Sequence, residues 1–124
     1  MGKFAILAVS LILAGCGAGQ WADQIELRKV LPNERDAALR IQLFDQSMKP
    51  PPPSEILGSV QAVSCKNKVW DAPATKGDAL DQLRIKALRV GAEAVTGITY
   101  SERGTSYEPN CWESVIVSGT AVKL

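Results

Sequence analysis

Apolar positions come in blocks separated by polar, glycine-bearing or proline-bearing stretches, and the spacing within each block predicts an element. Phe4 to Ala14 is an apolar stretch of about 11 residues. Ile25-Glu26-Leu27-Arg28-Lys29-Val30 alternates imperfectly and predicts a short strand, with Pro32-Asn33-Glu34 as a turn after it. Leu39-Arg40-Ile41-Gln42-Leu43 alternates with period two, which puts three apolar side chains on one face of a strand; a helix over 35–46 fits the same residues. The four consecutive prolines of Lys49 to Pro53 lack amide donors and break any regular element, leaving a stiff surface connection or a ligand for an aromatic-lined groove. Ile56 to Val63 reads as a strand rich in branched residues that runs into Cys65, with Gly58 marking a bulge or a close contact.

The period then changes. Leu80, Leu83, Ala87 and Val90 recur three or four apart, so 78–90 is predicted as a helix with Asp81, Arg84 and Lys86 more outward. Thr75 and Asp78 suit its amino-terminal cap and Gly91 its carboxyl-terminal one. Ala94 to Tyr100 follows as a strand, then a polar turn region through Gly104 and Pro109. Trp112 to Leu124 is a long final strand, apolar on parts of both faces. One helix set among strands predicts an α+β fold: a small antiparallel or mixed sheet of about four strands covered on one face by one main helix.

Composition narrows the function. The chain has 124 residues, 46% hydrophobic and 22% charged, which suits one globular domain. Lys plus Arg (14) nearly cancels Asp plus Glu (13), so nothing draws in a polyanion and nucleic acid is a poor partner. Without a single histidine, the usual general base of hydrolases and the commonest metal ligand are both missing. Asp71, Asp78, Asp81, Glu93, Glu102, Glu108 and Glu113 show no spacing that pairs two of them over a bond to be cleaved. Neither an enzyme nor a metal or other cofactor is expected.

Residues 1–15 read as an export leader: Lys3 supplies the positive charge and 4–14 the apolar core, too short for the roughly 20 residues of a bilayer span. Leu13-Ala14-Gly15-Cys16 resembles the lipobox of bacterial lipoproteins, which implies a diacylglycerol on the Cys16 thiol and cleavage just before it. A plain secretory leader or a cytosolic apolar amino terminus are the alternatives. Gly17, rather than aspartate, follows the cysteine, and by the same resemblance this points to the outer membrane. Gly15, Gly17 and Gly19 have no strand before them, so they read as a flexible tether rather than a dinucleotide loop. The stretch 17–24 reaches roughly 20 to 28 Å even when stretched, which keeps the domain near the membrane.

Two cysteines then remain for an oxidising compartment, the arithmetic of one disulfide, Cys65 to Cys111; two free thiols or one reactive thiol are the competing readings. From Leu39 onward the order of motifs resembles RcsF, the outer-membrane lipoprotein family of the Rcs envelope-stress response. The resemblance rests on Leu39-Arg40-Ile41, on Leu57-Gly58-Ser59-Val60 leading to a cysteine, on Gly91 to Val95, on Cys111-Trp112 and on Val117 to Ala121. It implies three regions: a leader (1–15), a lipid-anchored tether and short amino-terminal segment (16–38), and an RcsF-like domain (39–124). Of the family's two disulfides, one maps onto Cys65 and Cys111, whereas Tyr100 and Val117 hold the positions of the other. The family's long stalk is missing here. The implied function is stress sensing through contacts with outer-membrane barrel proteins or an inner-membrane regulator, with the domain facing the periplasm. A lipid-anchored interaction module without a signalling role is the alternative, using a patch such as Tyr107 to Trp112.

Overall fold

The computed structural model describes residues 24–66, 72–103 and 111–124. In chain order its elements are helix α1 (Pro32–Ala38), strands β1 (Gln42–Asp45) and β2 (Glu55–Lys66), helix α2 (Lys76–Arg89), and strands β3 (Ala94–Arg103) and β4 (Glu113–Lys123). They form the α+β architecture expected, a single four-stranded sheet in the order β1-β3-β4-β2. The sheet is mixed: β1 runs parallel to β3, and the long pairs β3-β4 and β2-β4 are antiparallel.

Alternation along the strands sends Ala62, Val95, Val115, Val117 and Ala121 to one face, where α2 covers them with Ala79, Leu83 and Ala87. Leu83 is fully buried, and a side chain of its size contributes roughly 1.5 to 3 kcal/mol by leaving water. The alanines on either side of it let the helix lie close to the sheet. On the other face Val63 and Ile116, paired across β2 and β4, are also buried, which matches the apolar character of β4 on both faces.

A bulge shapes the centre of the sheet. The β3-β4 register slips between Thr96 and Thr99, where Gly97 takes a φ of 62° that a side chain would strain. The slip turns both Val95 and Ile98 into the core. A Cβ on Gly119 opposite would lie 2.5 Å from Val95 Cγ1 and 3.0 Å from the Thr96 carbonyl oxygen, so this position has room only for hydrogen. The β2-β4 register likewise slips between Ile56 and Gly58, the bulge that Gly58 suggested.

Four readings of the pattern are corrected. Residues 25–30 are not a strand: Leu27–Lys29 is a 3-10 turn, and Ile25, Leu27 and Val30 pack beside Ile85 and Leu88 of α2 instead of pairing with an edge. Pro32 does not sit in a turn but opens α1, where its fixed φ suits the first helical position. The alternation at 39–43 straddles a boundary. Leu39 caps α1 and is exposed, Arg40 and Ile41 donate back to Ala37 and Ala38, and the strand begins only at Gln42. Val90, placed on the buried stripe of α2, is its exposed carboxyl-terminal cap.

Candidate functional site

Lys66 lies opposite Glu113 where β2 ends and β4 begins, so Cys65 and Cys111 arrive at the same end of the sheet. Their Cα atoms are 5.4 Å apart and the two form a disulfide, which removes the free-thiol and reactive-thiol readings. Beside it the Trp112 amide donates to the Lys66 carbonyl at 2.7 Å.

Side chains from both strands tie this end to the start of α2. Ser64 Oγ accepts from the Thr75 amide (3.1 Å), and Glu113 Oε1 accepts from the Ala74 amide (3.0 Å). Thr75 Oγ1 in turn accepts from the Asp78 amide at 3.1 Å, the cap expected from the sequence. One turn further on, Gln82 is 1% exposed. Its Nε2 donates to Asp78 Oδ2 and its Oε1 accepts from the Ile25 amide, both at 2.9 Å. The amino-terminal segment therefore joins the domain here, along a groove of about 600 Å³ bordered by Gln24, Ile25, Cys65, Thr75, Asp78 and Gln82. Just beyond, Lys29 and then Arg28 hold the exposed Glu26 carboxylate below its ordinary range.

A second groove of about 290 Å³ runs between α1 and α2, with Leu27, Leu39, Arg35 and Arg84 on its walls. Arg84 bridges to Asp81 at 3.5 Å, while its Nε has no partner among the described residues.

The remaining sequence-derived candidates are dispersed. Cys16, Asp71, Tyr107 and Glu108 lie outside the described residues. Asp78 and Asp81 sit on α2, Glu93 precedes β3, Glu102 is on β3 and Glu113 on β4, and Asp78 and Glu113 are engaged in the structural bonds above. Trp112 is 52% exposed. Tyr100 and Val117 are direct partners across β3 and β4, with the Lys76 ammonium 4.8 Å from the Tyr100 ring centre. Gln82 and Ser64, which organise this end, were not legible as such, because a polar type at a buried position gives no signal in apolar spacing. The one available hint was Gln82 four residues after Asp78.

A family model, YbjQ_1, described as "Putative heavy-metal-binding", matches residues 67–124, a little under half of the chain, from just after β2 to the carboxyl terminus. No curated protein matches the chain. Soft heavy-metal centres need clustered thiolates or imidazoles. This chain has no histidine, Cys65 and Cys111 are bonded to each other, and no three of His, Cys, Asp and Glu converge among the described residues. The residues present do not fit such a centre, and the similarity stands as one of sequence across α2, β3 and β4.

Proposed function

We propose that the protein is a lipid-anchored component of the cell envelope, held at the outer membrane through Cys16 and acting by protein-protein contacts in the manner of the RcsF family. The observation that carries this reading is the Cys65–Cys111 disulfide in a chain whose Leu13-Ala14-Gly15-Cys16 resembles a lipobox, since such bonds persist in exported proteins and are rare in the cytosol. Two further features support it. The pair formed is the one that the RcsF resemblance implies, and Tyr100 and Val117, at the positions of that family's second pair, face each other across adjacent strands. Envelope-stress signalling is the finer part of the proposal. Deleting the gene and challenging cells with peptidoglycan or lipopolysaccharide damage should blunt an envelope-stress reporter; an undiminished response removes the signalling role. The short stretch from Cys16 to Gln24 favours the second reading, an interaction module close to the bilayer without signalling. In that case cross-linking in intact cells captures an envelope protein while the reporter stays unchanged.

A further inference from the structure

We propose that the disulfide end of the sheet is the membrane-facing end of the domain, with Trp112 resting in the lipid headgroup layer, a placement that rests on the lipid anchor proposed above. The point of attachment sets it. Gln82 Oε1 holds the Ile25 amide at 2.9 Å, and Gln24 and Ile25 border the groove beside Cys65, so the chain leading back to Cys16 departs from this end. The eight residues 17–24 can span at most about 28 Å. β2, with 12 residues, is about 40 Å long, and its far end carries Glu55 and the run of prolines before it. Even allowing that Gln82 lies about 9 Å into α2, the far end stays about 30 Å from the point of attachment, at or beyond full stretch of the tether.

The chemistry of the near end suits a headgroup layer. Trp112 is half exposed next to Cys111 at this end, and tryptophan concentrates where an apolar body and a polar N–H meet the boundary of a bilayer. Exposed Lys76 and half-buried Lys66 flank this end with flexible cationic side chains, and Ala72 and Pro73 are exposed beside them. Ile56, exposed at the start of β2, is aliphatic but lies at the end that the tether length sets back from the bilayer, and it is left for protein contacts.

Photo-cross-linking tests the placement. Trp112→p-benzoylphenylalanine and, separately, Pro52→p-benzoylphenylalanine are made in the full chain, purified from membranes and reconstituted in phosphatidylethanolamine and phosphatidylglycerol vesicles. Ala72→p-benzoylphenylalanine provides a second reporter at the near end should the position-112 variant fail to form its disulfide. Acylation of Cys16 is read first, by mass: an unmodified Cys16 removes the anchor and the placement together. With Cys16 acylated, lipid adducts at 112 or 72 and at least tenfold fewer at 52 are expected. Equal adducts at both ends, more at 52, or none at either overturn the placement while leaving the anchor intact.

Discussion

The two ends of the α2-sheet unit are closed by different means. At the disulfide end the contacts come from residues far apart in sequence: Ile25 with Gln82, Ala74 with Glu113, and Cys65 with Cys111. At the other end the last turn of α2 is capped by its own backbone, with the Arg89–Glu34 pair at 2.7 Å as an exposed long-range tie beside it. Gly91, at a φ of 81°, lets its amide reach the Leu88 carbonyl and lets the Ala92 amide reach Ala87, both at 3.0 Å. The local cap can form as soon as the helix does, whereas the bonds of the disulfide end exist only when the whole fold is present. A covalent bond belongs at the second kind of end, because there the loop it closes is long.

Breaking each end in turn should therefore give graded losses. The largest belongs to Cys65→Ser with Cys111→Ser: opening a loop of about 47 residues should cost about 4 kcal/mol in urea denaturation, a large part of a small domain's stability. Unchanged stability would mean that the hydrogen bonds alone hold this end. Gln82→Ala comes next, at about 2 kcal/mol, because it leaves the Ile25 amide without its acceptor and opens space in a buried site. Hydrogen exchange should show the Ile25 amide losing protection while β4 keeps its own. Gly91→Ala, which must hold a left-handed conformation, should cost about 1 kcal/mol and leave the exchange of Ile25 unchanged. A loss of Ile25 protection in that variant would show that the two ends are coupled.

The smallest effect is electrostatic. Lys29, and after it Arg28, lower the Glu26 pKa, so the ionised form is favoured in the folded state. That stabilisation is present above the unfolded pKa of Glu26 and is lost as pH falls through the lower, folded value. Glu26→Gln should slightly narrow the drop in melting temperature between pH 7 and pH 3, and added salt should erase the difference.

The long elements were legible because periodicity needs length to register. β2, β4 and most of α2 fall where the spacing put them, as does the Thr75 cap. The short ones were not. β1 has four residues and shares its apolar run with the end of α1, so a single alternating pattern spans two elements. Pro32-Asn33-Glu34 is equally good chemistry for a turn and for a first helical turn; only packing on α2, together with the Glu34–Arg89 pair at 2.7 Å, selects the helix. Of the disulfide end, the sequence shows the count of cysteines and the cap. Gln82 and Ser64 stay hidden because their roles depend on which amides the fold brings to them.

The intact mass of the mature protein extracted from membranes, taken with alkylation before and after reduction, tests the account most directly. The expected species begins at Cys16, carries acyl chains there, and takes up alkylating reagent at Cys65 and Cys111 only after reduction. A chain with bare Cys16, or with both downstream thiols alkylated without reductant, would contradict it.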